Sequence, residues 1–408
     1  MLRLLLVLFL ALPFTGDSQQ FHTYVGRVET DSVLLAWGTT QGNGNTIGRE
    51  SESHGPAEVR INGRTYGESA KNWTIIRGLS PNREYPYAVT LNGREIGAGT
   101  VRTLPEHSDR LAFLVIGDYG TGGRAQYEVA SAMAKVARER SKTDNPVRFV
   151  LTTGDNIYAY RWLGFIRTQS GDRDRHWRAK FFEPYSDLLL HVPFYPTLGN
   201  HDGGESESDG DLGVYLDNFF FPTPKPSRYY SFSVAGLADF FALDSTDIAT
   251  SERQPIYAPG GTESRWLEKA LAQSKLQWKI AYFHHPPFNA GPGHGPSLDQ
   301  LRHWVDLFGK HGVQIAFSGH EHNFQWSKRN ERTAGVQFVI TGAGGELRSR
   351  DVRRRLEAAN IAAWAPQCHF LLVEIEGRSM TVNVLGSSDI IVRDRTGGRV
   401  SLPFRVSL

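Results

Sequence analysis

The chain has 408 residues, 40% of them hydrophobic, and its 45 basic and 43 acidic side chains leave a formal net charge of +2. This length predicts more than one domain, and the composition excludes disorder over most of the chain. A nearly neutral charge gives no reason to expect binding to a nucleic acid or to an anionic membrane. Cys368 is the only cysteine, so a disulfide bond within the chain is excluded.

The N-terminal residues have the pattern of a secretory signal peptide. Arg3 precedes an apolar stretch over residues 4–12, which is too short to span a bilayer, and polar residues follow at 16–20. The alternative interpretation of this stretch is a buried N-terminal strand. We predict a signal peptide over residues 1–19 and therefore a secreted or periplasmic protein, without a membrane anchor after cleavage.

Residues 20–105 show the alternation that is typical of β-strands. Val33, Leu35 and Trp37 occupy alternate positions, and an Asn-Gly pair at 92–93 predicts a tight hairpin between two further strands. No cluster of His, Asp or Glu marks this region as a site. We predict an all-β sandwich that serves as a scaffold or targeting domain.

Residues 110–400 combine apolar strands with amphipathic helices, which indicates an α/β domain. The apolar residues 111–116 predict a strand that is buried on both faces, and a helix with an apolar face at Val129 and Met133 follows. A later helix is predicted to begin with a capping box at 297–300.

Three apolar runs near the C-terminus lack intervening helices, so we predict that they pair antiparallel within a second sheet. These runs are 336–345, 370–377 and 380–386. The fold expected for this region is two mixed β-sheets flanked by helices.

Five of the predicted strand ends share one feature, which is a side chain able to bind a metal ion. These residues are Asp118, Asp155, Asn200, His284, His320 and His322. Mixed carboxylate, amide and imidazole ligands suit iron, zinc or manganese, and two ions that share one carboxylate would use all six. Such a pair of ions assists phosphoryl displacement. His320 and His322 would point in opposite directions on a strand, so we expect the chain to turn after Gly319.

The sequences around these residues resemble a known family. The blocks GDYG, GDNIY, GNHD, AYFH and GHEH are similar to the five signature blocks of the calcineurin-like metallophosphoesterases. The tyrosine in GDNIY narrows the resemblance to the purple acid phosphatases. Residues 20–105 resemble a fibronectin type III module, which also occurs in that family.

The resemblance implies a dinuclear metal centre and two catalytic histidines. It implies an Fe3+ site formed by Asp118, Asp155, Tyr158 and His322. It implies a second site, for Fe2+, Zn2+ or Mn2+, formed by Asp155, Asn200, His284 and His320, with Asp155 bridging the two ions. His201 matches the histidine that contacts the substrate phosphate in the family, and His294 matches one proposed to orient the phosphate or to protonate the leaving group.

The resemblance implies an exported acid phosphatase that hydrolyses small phosphate monoesters by attack of a metal-activated hydroxide. The alternative is a phosphodiesterase or nucleotidase with the same site, and a third hypothesis is a non-enzymatic extracellular binding protein. No nucleic-acid partner is expected beyond nucleotides as substrates.

Four details are left open by the sequence. The oligomeric state is not indicated. His285 is either in contact with the metal ligands or only packed beside them. Asp202 replaces the usual glutamate after GNH, and its shorter reach is expected to affect His201. The arginine-rich residues 159–183 either steer anionic substrates or form a solvated face.

Overall fold

The computed structural model describes nine ranges of the chain. These are residues 21–39, 55–66, 69–158, 161–162, 166–167, 177–203, 212–223, 227–248 and 253–408. The predicted signal peptide lies outside the described residues, as do large parts of the segments 159–183 and 203–213. In the helices that the structure describes, no run is both long and apolar enough to cross a bilayer.

The N-terminal domain consists of two antiparallel sheets, which confirms the predicted all-β fold. The first sheet has the order β1 (Phe21–Val28), β2 (Ser32–Thr39) and β5 (Trp73–Arg77). The second has the order β4 (Arg64–Tyr66), β3 (Ala57–Ile61), β6 (Glu84–Leu91) and β7 (Arg94–Arg102). The predicted hairpin joins β6 to β7, because Asn92 and Gly93 both have positive φ, 50° and 75°, as a type I′ turn requires.

The second domain contains a sheet of six strands and a sheet of seven strands. In spatial order the six are β12 (Phe194–Pro196), β9 (Val147–Thr152), β8 (Arg110–Ile116), β20 (Phe370–Glu376), β21 (Ser379–Leu385) and β22 (Phe404–Ser407). The seven are β13 (Tyr230–Val234), β14 (Ala238–Ala242), β15 (Trp278–Tyr282), β16 (Ile315–Ser318), β18 (Gln337–Thr341), β17 (Phe324–Ser327) and β19 (Ile361–Ala365). Both sheets are mixed, as predicted, since each contains parallel and antiparallel pairs. A small ribbon pairs β10 (Arg161–Trp162) with β11 (Ile166–Arg167).

The described residues of this domain form five α-helices. They are α1 (Arg124–Ser141), α2 (Ser186–Leu189), α3 (Gly213–Asn218), α4 (Thr262–Gln273) and α5 (Leu298–His311). Helix α1 packs beside the six-stranded sheet, while α4 and α5 cover one face of the seven-stranded sheet. Buried side chains of α4 and α5 pack with Phe241, Ala281 and Phe338 on one face of the seven-stranded sheet. The intervening side chains face the other sheet, where the Phe240 ring lies 5.3 Å from that of Phe113. Two covered faces explain why these strands are apolar throughout.

Two local predictions were wrong. Residues 337–341 do not pair with the two later apolar runs, because β18 lies in the seven-stranded sheet, parallel to β16, while β20 and β21 lie in the six-stranded sheet. The capping box at 297–300 is also absent, since Ser297 is the N-cap of α5 but its side chain makes no capping hydrogen bond. The predicted helix itself and its buried apolar face are confirmed.

The N-terminal sandwich and the second domain are joined by one continuous hydrophobic core. The Tyr195 hydroxyl lies 3.3 Å from the Val28 backbone nitrogen, and the Tyr87 hydroxyl donates to the Leu190 carbonyl at 2.9 Å. Arg148 reaches from β9 to the Thr103 carbonyl at 3.2 Å. Buried polar contacts across the junction fix the position of one domain on the other.

Candidate metal centre

The centre lies where parallel strands of both sheets end. Asp118 follows β8, Asp155 follows β9, and His320 follows β16, each directly after a glycine. All three have positive φ, of 55°, 50° and 70°. This left-handed conformation is rare for residues other than glycine, although Asp adopts it more readily than most. The backbone therefore turns sharply at each strand end, and the predicted turn after Gly319 is confirmed.

Four of the predicted ligands form an oxygen-rich half of the centre. Its members are Asp118, Asp155, Tyr158 and His322. The Tyr158 hydroxyl lies 3.3 Å from Asp118 Oδ1 and 3.2 Å from His322 Nε2. Asp118 Oδ1 and His322 Nε2 are 3.4 Å apart, and one oxygen of Asp155 lies close enough to complete the cluster. The structure thus brings together the residues that the family resemblance implies for the Fe3+ site.

The other three predicted ligands form an imidazole-rich half, made of Asn200, His284 and His320. His284 Nε2 lies 3.0 Å from Asn200 Oδ1 and 3.1 Å from His320 Nδ1. The other ring nitrogen of His284 donates to the Thr153 carbonyl at 2.9 Å. This hydrogen bond fixes the tautomer, so that the Nε2 lone pair points at the other ligands, as a metal-binding histidine requires.

Asp155 lies between the two halves. Its Oδ2 is 3.5 Å from His284 Nε2 in the imidazole-rich half, while its Oδ1 accepts the backbone N–H of His201 at 2.9 Å. Gly199 has to be a glycine at this point, since a Cβ would overlap the Asp155 carboxylate. The position is the one expected for a bridging carboxylate.

The spacing and chemistry of these groups fit metal ions. Ligand atoms bonded to one ion at about 2.0 to 2.2 Å lie roughly 3 to 3.5 Å from each other. The separations of 3.0 to 3.4 Å within the two halves agree with this value. Carboxylate, phenol, amide and imidazole groups together suit iron, zinc or manganese.

The burial of two carboxyl groups also indicates a cation. Asp118 is fully buried, and burial together with the neighbouring Asp155 raises its pKa well above the usual value. Asp155 is equally desolvated, but the adjacent His284 and His201 hold its pKa below the usual value. In the described ranges neither carboxylate is paired with Lys or Arg, and their ion-pair partners are His322 and His284. Buried carboxylates in such surroundings are normally paired or bound to metal.

Burial, followed by the charges of Asp155 and Asp118, raises the pKa of the Tyr158 phenol well above its usual value. In the absence of a cation this phenol stays protonated, and it is placed to donate to Asp118. A bound cation of high charge would favour its ionised form.

The two histidines predicted to act on the substrate flank the centre. The His201 ring lies beside the oxygen-rich half, 4.5 Å from the Tyr158 ring. The His294 ring stacks on His320 at 3.8 Å, beside the imidazole-rich half. Burial and the nearby Arg348 lower the pKa of His294 to about 4.

The structure also answers two questions that the sequence left open, which concern the contacts of His285 and the role of Asp202. His285 contacts the ligands, since its ring lies 4.4 Å from that of His320 and its Nδ1 is 3.0 Å from the Ser245 hydroxyl. The Asp202 carboxylate accepts the backbone N–H groups of Gly199 at 2.7 Å and Asn156 at 2.8 Å. Asp202 therefore ties together the two loops that carry Asp155 and Asn200, which is a broader role than holding His201.

Glu321 and Arg348 were missed by sequence reasoning, and both contact His294. Glu321 lies between two ligands in GHEH, and that position was a usable signal. Arg348 lies 54 residues after His294 and in none of the five blocks, so nothing in the sequence marks it.

Comparison with known proteins identifies the class. The sequence profile described as calcineurin-like phosphoesterase matches residues 111–324, slightly more than half of the chain. An uncharacterised protein of Mycobacterium tuberculosis is 25% identical over 347 residues, which are 75% of this chain and 61% of that protein. This chain thus spans about three fifths of the length of that relative.

Two named phosphatases are also similar to the chain. Tartrate-resistant acid phosphatase type 5 of Sus scrofa is 26% identical over 287 residues, which are 67% of this chain and 78% of that one. The structure of purple acid phosphatase PPD1 from yellow lupin (Lupinus luteus) superposes with a TM-score of 0.69 at 15% identity, and covers 95% of this chain and 74% of that one. The latter comparison supports the fold alone.

The matched profile and the candidate metal site define the class of the fold as calcineurin-like metallophosphoesterase. The chain belongs to the calcineurin-like phosphoesterase family, and purple acid phosphatases are among its homologues. The family resemblance and the fold class predicted from the sequence are confirmed.

Proposed function

We propose that the chain is an exported acid phosphatase of the purple type, which hydrolyses small phosphate monoesters with Fe3+ and a divalent ion, Fe2+, Zn2+ or Mn2+. The observation that carries the proposal is the position of the Tyr158 hydroxyl, within 3.3 Å of Asp118 Oδ1 and 3.2 Å of His322 Nε2. A phenolate is a hard anionic ligand, and such ligands favour a hard cation of high charge. The named phosphatase homologues support the same conclusion.

The two cations, when bound, would neutralise the phosphate and acidify a water molecule for attack. The chain's own residues hold these ions and orient the ester. His201 and His294 lie on the two halves, where their ring N–H groups can donate to the phosphate oxygens or to the leaving oxygen. The proposed reaction uses no side-chain nucleophile, so no covalent phosphoenzyme forms.

The test is the absorption spectrum of the purified protein, with metal analysis of the same sample. We expect a broad visible band and about two metal ions per chain, with the band lost in Tyr158→Phe. Tyr229→Phe is the matched control, because Tyr229 packs on Trp266 and should leave the band unchanged. A colourless protein with two zinc or manganese ions would contradict the purple type and leave the broader class intact.

Substrate preference is tested by comparing 4-nitrophenyl phosphate with bis(4-nitrophenyl) phosphate. The proposal expects faster turnover of the monoester and an acidic optimum. Faster turnover of the diester, or an optimum above about pH 8, would favour the phosphodiesterase or nucleotidase instead. Failure to turn over either ester after iron and zinc reconstitution would favour a non-enzymatic binding protein.

Export is proposed from the N-terminal sequence alone. The apolar stretch at residues 4–12 is followed by polar residues, as in cleaved signal peptides. Expression of the full chain in a bacterial host should release a mature form. N-terminal sequencing of this form should show that the chain was cleaved between residues 16 and 20. An uncleaved protein in the host cytoplasm would contradict this part of the proposal.

A further inference from the structure

His294 lies on a loop that is tied to Glu321, the residue between the two histidine ligands. Glu321 is fully buried, and its Oε2 accepts the backbone N–H of His294 at 2.9 Å and that of Gly293 at 3.3 Å. A Cβ at Gly291 would overlap the Glu321 carboxyl group. The loop therefore approaches the centre as closely as the backbone allows, and Glu321 sets the place of the His294 backbone.

The orientation of the His294 ring depends on a second contact, with Arg348. One terminal nitrogen of the guanidinium lies 2.8 Å from His294 Nδ1 and 3.7 Å from Glu321 Oε2. The Arg348 backbone N–H donates to the carbonyl of the ligand His322 at 2.8 Å. A Cβ at Gly293 would overlap this guanidinium, so the absence of a side chain there leaves space for Arg348.

The hydrogen-bonding chemistry of these groups determines which nitrogen of His294 carries the proton. A guanidinium has only donors, so its N–H must donate to Nδ1, and a neutral ring then carries its proton on Nε2. The His320 carbonyl oxygen lies 3.1 Å from the same Nδ1 and would favour the opposite tautomer. The contact with Arg348 is shorter and involves a charged donor, so it determines the tautomer of His294.

We propose that Arg348 is a positioning residue, which holds His294 with its proton on Nε2 so that this nitrogen donates to the substrate phosphate or to the leaving oxygen. The proposal rests on the proposed phosphatase function and extends it to a residue outside the five signature blocks. Without Arg348, Nδ1 is left to donate to the His320 carbonyl, and Nε2 becomes an acceptor that repels a phosphate oxygen.

Kinetics of Arg348→Met test the proposal, because methionine keeps an unbranched side chain that fills much of the same space and removes every donor. We expect kcat to fall about 10- to 100-fold with KM within about threefold, and the loss to be larger for alkyl phosphates than for 4-nitrophenyl phosphate, whose leaving group needs no proton. Arg348→Lys keeps one donor and should restore part of the loss. Arg350→Met removes an exposed arginine two residues away and serves as the matched control.

The double variant with His294→Ala separates positioning from direct contact with substrate. If Arg348 acts through His294, Arg348→Met should lower kcat by no more than about twofold when His294 is already absent. A loss of the same size in both backgrounds would overturn the proposal, since Arg348 would then act on the substrate or on stability by itself.

A measurement without turnover completes the test. In the zinc-loaded full chain labelled with 15N-histidine, the signals lost in His294→Ala belong to His294. They should report the tautomer with the proton on Nε2 in the wild type and the one with the proton on Nδ1 in Arg348→Met. An unchanged tautomer would overturn the proposal.

If the wild-type protein hydrolyses no phosphate ester, the proposed function fails. If the wild type is active and the Arg348→Met variant is unaffected, only this inference is refuted.

Discussion

The two halves of the metal centre differ in charge although they share Asp155 and the same pair of sheet edges. The oxygen-rich half contains two buried carboxylates and a phenol, and the charge of Asp155 helps to raise the pKa of Asp118. The imidazole-rich half consists of neutral groups, and a backbone hydrogen bond fixes His284. The first half therefore needs a cation to balance its charge, whereas the second offers lone pairs that are already oriented. This difference favours ions of unequal charge in the two positions.

The largest effect is expected from Asp155→Asn, because this carboxylate serves both halves. Loss of its charge should lower kcat/KM by about 1,000-fold or more and reduce the metal content below two ions per chain. Asp306→Asn is the control, since Asp306 is an exposed residue of α5 paired with Arg302. Retention of two ions in Asp155→Asn would show that the halves do not depend on a shared ligand.

A smaller effect is expected from His320→Ala, which affects the imidazole-rich half alone. We expect loss of the divalent ion, retention of the visible band and a fall in kcat of about 100-fold. Loss of the visible band together with the divalent ion would indicate that neither half binds its ion unless the other half is occupied. His107→Ala replaces an exposed histidine outside the centre and should behave as the wild type.

Asn200→Asp would remove the difference in charge between the halves. The new carboxylate should tighten binding of the divalent ion, measured by competition with a chelator, and lower kcat about 10-fold, because a site with more negative charge attracts the phosphate less. Weaker binding of the divalent ion would contradict the electrostatic explanation. Asn62→Asp, at an exposed position of the N-terminal domain, is the comparison variant.

The smallest effect concerns pH and a buried histidine outside the ligand set. His369 is fully buried beside Thr341, and burial lowers its pKa to about 4 from an unfolded value near 6.5. Between pH 6.5 and pH 4 the His369 ring binds a proton in the unfolded chain but not in the folded chain. The free energy of unfolding therefore falls as the pH drops from 6.5 towards 4. This group accounts for at most about 3 kcal/mol.

The measurement is thermal unfolding between pH 7 and pH 4 for the wild type and for His369→Gln. The variant should lose less stability over this range, even if it is less stable at pH 7. An equal slope of melting temperature against pH in both proteins would rule out His369 as a cause. His191→Gln is a suitable control, since His191 bonds to Thr100 at the domain junction and not near the centre.

Most of the site could be predicted because its signals are local. Asp118 and Asp155 each follow an apolar run and a glycine, so the strand end and the ligand are read from adjacent residues. Parallel strands then place their carboxyl ends together, which explains why residues 36 positions apart, such as His284 and His320, end up 3.1 Å from each other.

The features that escaped prediction depend on contacts between distant segments. The strand at 337–341 is buried on both faces, and such a strand carries no information about which sheet it joins. The contact of Arg348 with His294 depends on a loop path that no periodicity encodes. Ser297 begins a helix as expected, but its ψ of 28° differs from the extended backbone that a capping residue normally has.

The shared core at the domain junction limits how the chain can be divided. The Tyr24 ring packs against Phe182 at 5.5 Å and Phe220 at 5.8 Å, and both of these aromatic residues come from the second domain. A catalytic fragment excised at the linker would expose these rings to water and would be prone to aggregate. The sandwich is therefore unsuited to exchange as an independent module, and heating should melt both domains in one cooperative transition.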